Sequence, residues 1–176
     1  MRRFAFKLGV LLLLAGTLMG QAAEWKKHKN TDGNFTALFP GEPNDTVNKS
    51  EGGMQSHTLL ARDQGSVYTV IYTSMGTTQT VDEATFEVFK NAVFKELPKC
   101  EAGAAKPATP GVTGYIGHWY TLNCDMATAK VTVVGNLYWG KHYAYAVMVM
   151  FLATATEPTA PEKKFFESFS VIDPAK

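Results

Sequence analysis

Residues 130–152 constrain the fold most. Two apolar runs, 130–139 and 142–152, meet at Gly140-Lys141. A two-residue connection with Gly first suits a type II′ turn, so the runs read as an antiparallel hairpin. That register sets Trp139 opposite His142 and Leu137 opposite Ala144, and directly opposed residues share a face. One face then carries Val131, Val133, Leu137, Trp139, Ala144, Ala146, Met148 and Met150. The other carries Thr132, Val134, Asn136, Tyr138, Tyr143, Tyr145, Val147 and Val149. The first face, with its alanines, leaves room for a helix. The second is too apolar for bare water, so part of it also needs a cover.

Two segments elsewhere can supply these covers. Across residues 81–97 the period changes to helical: Val81, Ala84, Val88, Phe89, Ala92 and Val93 recur on one stripe, widened by Phe86 and Leu97. Thr80-x-x-Glu83 reads as a capping box, and Asp82 and Glu83 suit a helix N-terminus. Pro98 ends the helix. Near the C-terminus, after a loop over 154–160, Pro161 suits a first helical turn. Phe165, Phe166 and Phe169 then share a face of a short helix running to about Ser170.

The first third of the chain alternates as strands and turns. Residues 25–29 and 35–39 read as strands joined by the turn 31–34. Phe39-Pro40-Gly41-Glu42 fits a type II turn, with Gly where φ is positive. Strands follow at 46–50, 54–62 and 67–74, separated by turns at 51–53 and 63–65. Between the long helix and the hairpin, 99–111 reads as a Pro-containing loop and 112–124 as one strand. The fold class is α+β: an antiparallel β-sheet flanked by one long helix and a short C-terminal helix.

The N-terminus reads as an export signal. Arg2, Arg3 and Lys7 precede the apolar run 8–14, and Gly20, Gln21, Ala22 and Ala23 supply small residues for cleavage after 22 or 23. That core is short for a bilayer span. Residues 24–176 then form a single domain. The whole chain has 17 basic and 16 acidic residues. Without residues 1–23, which hold three basic and no acidic ones, the balance becomes 14 against 16, a net charge of −2. No basic run remains, so nucleic acid is a poor partner, and no later stretch is long and apolar enough to span a membrane. Cys100 and Cys124 are the only cysteines, and in an oxidising compartment they can pair in one way. The expected location is the periplasm or the extracellular space.

Catalytic chemistry leaves little trace. His28, His57, His118 and His142 match no metal-ligand spacing. There is no Gly-x-Ser-x-Gly elbow. Gly111, Gly114 and Gly117 match neither phosphate-binding pattern and read as relief of crowding at a strand. Asp32, Asp45, Asp63 and Asp125 read as turn residues. No cofactor or metal is expected. The most suggestive surface is aromatic: Tyr138, Tyr143 and Tyr145 share a hairpin face, and Trp139 and His142 crown the turn. Tyr and Trp are favoured at binding surfaces, although cross-strand aromatic pairs also stabilise sheets without a ligand.

Several of these marks occur together elsewhere. An opening Trp25, the phrase Phe35-x-x-x-Phe39-Pro40-Gly41-x-Pro43, a Gly-containing strand (from Gly114) before a long hairpin and a closing Phe-x-x-Ser-Phe helix, from Phe165 or Phe166 through Ser168 and Phe169, stand in this order. In this the chain resembles small exported bacterial proteins whose layout is similar to that of PsbP, an extrinsic subunit of photosystem II. The resemblance implies an α/β/α sandwich outside the cytoplasm with an accessory or binding role. It implies no activity. The expectation for function is therefore a non-catalytic binding or accessory protein that meets an unknown protein or small ligand. The rival is an extracytoplasmic hydrolase whose residues converge only in three dimensions.

Overall fold

The computed structural model describes residues 24–49, 55–97, 99–126, 129–152 and 158–173. The export signal, the 51–53 turn, Pro98 and most of the 154–160 loop lie outside the described residues.

At the centre stand β9 (Lys130–Trp139) and β10 (Tyr143–Leu152), paired antiparallel. The two faces of the hairpin are those expected, but the register is two residues away. Trp139 lies opposite Ala144 and Leu137 opposite Ala146. A shift of two preserves which side each residue faces; a shift of one would have inverted both layers. The turn centres on Lys141-His142, closed by the Gly140 N–H on the Tyr143 carbonyl at 3.0 Å. None of these residues has positive φ, so the type II′ turn is not formed. Neighbouring chain fixes the turn instead: the Lys141 and His142 carbonyls accept from the N–H groups of Gln79 and Met75 at 2.7 and 2.8 Å. Gly140 serves close approach. A Cβ there would sit 2.2 Å from the Tyr115 ring.

Around the hairpin the strands β3 (Asn44–Lys49), β4 (Gln55–Asp63), β5 (Ser66–Ser74), β6 (Cys100–Ala102), β7 (Lys106–Pro107) and β8 (Ile116–Asp125) complete an eight-stranded sheet. Its order is β3-β4-β5-β10-β9-β8-β6, with β7 also on β8. The paired strands of this sheet run antiparallel throughout the described residues. The β4–β5 turn places Gln64 and Gly65 at φ 46° and 86°, the left-handed pair that a two-residue hairpin loop favours.

The expected loop 99–111 contains two strands, because β8 offers an unpaired edge that short segments can satisfy. Strand β8 begins at Ile116, not at 112. Register pairs Cys100 directly with Cys124, and the two form a disulfide that ties β6 to β8. The crowding reading holds at Gly117, where a Cβ would meet the Tyr138 ring at 2.8 Å, but not at Gly111, where a Cβ would meet nothing within 4 Å, and Gly114 instead answers a positive φ of 80°.

Helix α1 (Glu83–Lys95) covers one face of the sheet. Its N-cap is Asp82, not Thr80. The Thr85 N–H donates to Asp82 Oδ1 at 2.8 Å, and Thr85 Oγ1 receives the Asp82 N–H at 3.3 Å. The first of these bonds, from the Thr85 N–H, is the largest cause holding the Asp82 carboxyl below its usual range. Thr80 is used otherwise: its carbonyl accepts the Trp139 indole N–H and the Thr85 hydroxyl, both at 2.9 Å. The buried ridge is Phe86, Phe89 and Val93, continued by Leu97. Val88 and Ala84, expected on the inner stripe, are exposed, because a single helix on a flat sheet presents a narrower face than a helix enclosed on several sides. The ridge meets Leu137, Trp139, Ala144, Ala146, Tyr120 and Leu122.

The other face is covered by two elements. Strands β1 (Trp25–Asn30), β2 (Phe35–Pro40) and β11 (Ser170–Val171) form a separate three-stranded sheet, joined by helix α2 (Ala160–Ser168). Phe35, Ala37 and Phe39 of β2 point inward with Phe165, Phe166 and Phe169 onto Tyr68, Val70, Tyr138, Tyr145, Val147 and Val149. Each fully buried aromatic contributes about 1.5–3 kcal/mol relative to exposure. Gly41 has φ 84°, as the turn after β2 requires.

Helix α2 is anchored by a buried carboxylate. Glu162 accepts the Ser66 hydroxyl at 2.9 Å, the Thr159 N–H at 2.7 Å and the Thr159 hydroxyl. Burial pushes its carboxyl up, but the bonds from Thr159 and Ser66 together outweigh it and the net direction is downward. A carboxyl depressed in the folded state stabilises the fold above its unfolded titration, and that contribution is lost as pH falls through the folded value. Glu162→Gln should cost about 1–3 kcal/mol at neutral pH in urea unfolding and remove part of the acid-side loss seen in the parent. The double change Cys100→Ser with Cys124→Ser should cost about 3 kcal/mol, read from the shift of the urea midpoint.

Candidate functional site: the tyrosine end of the hairpin

Tyrosines gather at the turn end of the hairpin because β5 and β10 both carry them inward. Register sets Tyr145 between Tyr72 on β5 and Tyr138 on β9. Tyr143 is two residues earlier on the same face, so its ring stacks on Tyr145 at 6.0 Å and 12°. Tyr115, from the bend before β8, packs on Tyr145 at 5.8 Å and across Gly140. The turn 31–34 lies against this group. The Gly33 carbonyl accepts the Tyr145 hydroxyl at 2.9 Å, and the Gly33 N–H donates to Asn30 Oδ1 at 2.6 Å.

The five residues singled out by sequence divide sharply. Tyr138 and Tyr145 are 0% exposed. The Tyr138 hydroxyl donates to the Pro110 carbonyl at 2.7 Å, and its ring stacks on Phe169 at 5.4 Å. Trp139 is buried on the opposite face, against Phe89. These three are core residues, since the second layer that the hairpin demanded closes over them. As a contact surface they are withdrawn. His142 and Tyr143 remain half-exposed, side by side at the turn.

Burial also sets the chemistry of the phenols. It raises Tyr138 and Tyr145 well above the usual phenol range and pushes Tyr72 up to about 12, where an Asn30 hydrogen bond opposes it. The Tyr115 hydroxyl is buried without a well-aligned partner and is raised by the same cause. Such groups are poor acids and bases at neutral pH. Their role is rigid, amphipathic packing.

Three histidines stand beside carboxylates. His28 Nδ1 lies 3.7 Å from Glu42, His57 Nδ1 3.3 Å from Asp45, and His118 Nε2 3.4 Å from Glu83. His57 also stacks on Tyr72 at 4.6 Å. The three pairs sit on different elements and do not pool their donors. Among the described residues, no group of three or more His, Cys, Asp or Glu side chains is placed to hold a metal ion. No helix of the described residues is long and apolar enough to cross a membrane.

Sequence reasoning placed Asn136 on the second hairpin face without giving it a role, and it did not single out Tyr115. The Asn136 side chain acts as an extra strand, accepting from the Thr109 N–H at 3.2 Å and donating to the Thr109 carbonyl at 2.9 Å. A lone buried amide on a strand otherwise rich in apolar residues was the available signal.

The phenols give a direct test. A tyrosine raised in the folded state contributes stability below its unfolded value of 10.0, and loses it as pH rises toward the folded value. Absorbance at 295 nm should show a fraction of the tyrosines refusing to ionise until the chain unfolds, with stability falling above about pH 10. No protein-family model and no curated protein matches the chain.

Proposed function

We propose that the chain is an exported, non-catalytic binding or accessory protein, and that it meets a protein or small ligand at Tyr143 and His142. One observation carries this reading. Tyr143 is a half-exposed aromatic ring held on a buried tyrosine stack, next to a half-exposed imidazole, at a turn fixed by backbone hydrogen bonds. An aromatic already immobilised loses little freedom on contact, the property that makes Tyr effective at interfaces.

Other features support the reading. The N-terminal charge and apolar pattern is that of a secretory signal. The Cys100–Cys124 bridge suits an oxidising compartment. A sheet covered by helices on opposite faces is also the layout that the PsbP-like resemblance implies. The hydrolase reading draws only on the histidine–carboxylate pairs, and in each the carboxylate opens to solvent.

Site-specific photocrosslinking tests the proposal. A benzophenone-bearing phenylalanine is introduced at position 143 and, separately, at the exposed helix position Val88. In producing cells, position 143 should yield a discrete adduct and position 88 none. The absence of an adduct at 143, or an identical pattern from both sites, would remove this surface from consideration.

A further inference from the structure

Among the described residues, strand β3 ends the large sheet with only β4 beside it, and Asn44, Asp45, Thr46, Val47 and Lys49 are exposed. An edge of this kind presents backbone N–H and C=O groups ready to pair with another strand. Proteins commonly blunt such edges. Strand β6, at the far end of the sheet, is only three residues long. Strand β1, an edge of the small sheet, carries Lys26, Lys27 and Lys29. If β1 paired with its own copy about Lys27, that residue would oppose itself; about His28, Lys27 would face Lys29. Like charges opposed in this way are destabilising.

Strand β3 has the reverse arrangement. Two identical strands related by a twofold axis must place one residue opposite its own copy. With Val47 in that position, Asp45 faces Lys49 of the other strand, and the same pair forms a second time. Thr46 then faces Asn48. Asp45, Val47 and Lys49 lie on one face, in register with Leu59, His57 and Gln55 of β4. Val47 is 48% exposed, a large apolar side chain on an open edge. Pairing would cover it with its own copy. Opposed Cβ atoms about 4.5–5.5 Å apart leave the two ion pairs within easy reach. Centring on Thr46 instead would face Asp45 with Val47 and form no ion pair.

We propose that β3 is a homodimer interface. Two copies pair antiparallel about Val47, joining their eight-stranded sheets into one. The charge pattern that would guard an edge is here self-complementary, and the symmetry of a dimer selects a single register. This surface is distinct from Tyr143 and His142, which lie at the turn between β9 and β10.

Charge exchange tests the proposal at exposed positions, Asp45 and Lys49, and among the described residues only the Asp45 side chain of the two has a polar contact within its own chain, with His57. The parent protein should show a concentration-dependent dimer by analytical ultracentrifugation. Lys49→Glu opposes two acidic pairs and leaves the His57–Asp45 contact intact; it should weaken dimerisation about tenfold or more. Asp45→Lys opposes two basic pairs and should act likewise. Mixed together, the two variants restore both ion pairs, so native mass spectrometry should show the heterodimer in preference to either homodimer. A parent that stays monomeric up to about 0.5 mM overturns the proposal, as does a mixture with no preference for the heterodimer.

Discussion

The central hairpin cannot meet water on either side, and the rest of the architecture answers that demand. Alternation along β9 and β10 places apolar side chains on both faces at once. One face takes a single helix, because Ala144 and Ala146 leave a shallow floor for Phe86, Phe89 and Val93. The other face is filled by tyrosines and needs a broader roof. A second small sheet and the phenylalanine helix provide it together. The two layers differ in how they are secured. The α1 side relies on apolar contact, the N-cap at Asp82 and the Trp139 indole bond. The α2 side adds polar ties at the buried Glu162 and Asn34 and the half-buried Ser168.

Much of this was legible because strand parity is robust. The hairpin faces were read correctly although its register was displaced by two residues, since face depends only on odd or even position. The long helix was legible from its period, and the disulfide from the cysteine count together with the expected compartment. What escaped were features set by distant partners. Thr80 and Asp82 are equivalent as caps by local rule; the indole of Trp139, far along the chain, engages the Thr80 carbonyl. The two short strands on β8 form because an edge awaits them, and nothing within 99–111 announces it. The separation of β1 and β2 into their own sheet is likewise invisible in their alternation.

The candidate site was legible only in part, for a related reason. A tyrosine on an alternating strand reads the same whether the layer above it is solvent or phenylalanine. The exposure of Tyr143 and the burial of Tyr145, two residues later, follow from where the 31–34 turn ends its cover. The phenol hydroxyls make the burial tolerable: Tyr138 and Tyr145 each find a backbone carbonyl in a loop, so those loops are placed by the tyrosines as much as they cover them.

The small sheet closes with residues drawn from opposite ends of the chain. Strand β11 pairs with β2, and the Asn34 side chain exchanges two hydrogen bonds with the Asp173 backbone, 139 positions away. During synthesis Phe35 and Phe39 therefore emerge more than a hundred residues before Phe165 and Phe169, the rings that enclose them. Contacts of such separation form late, because the intervening chain must first be gathered in. The β2–β11 pairing and the Asn34–Asp173 bonds are thus a clasp: they fasten an early strand to a late one, and the roof over the tyrosines closes only when both are in place.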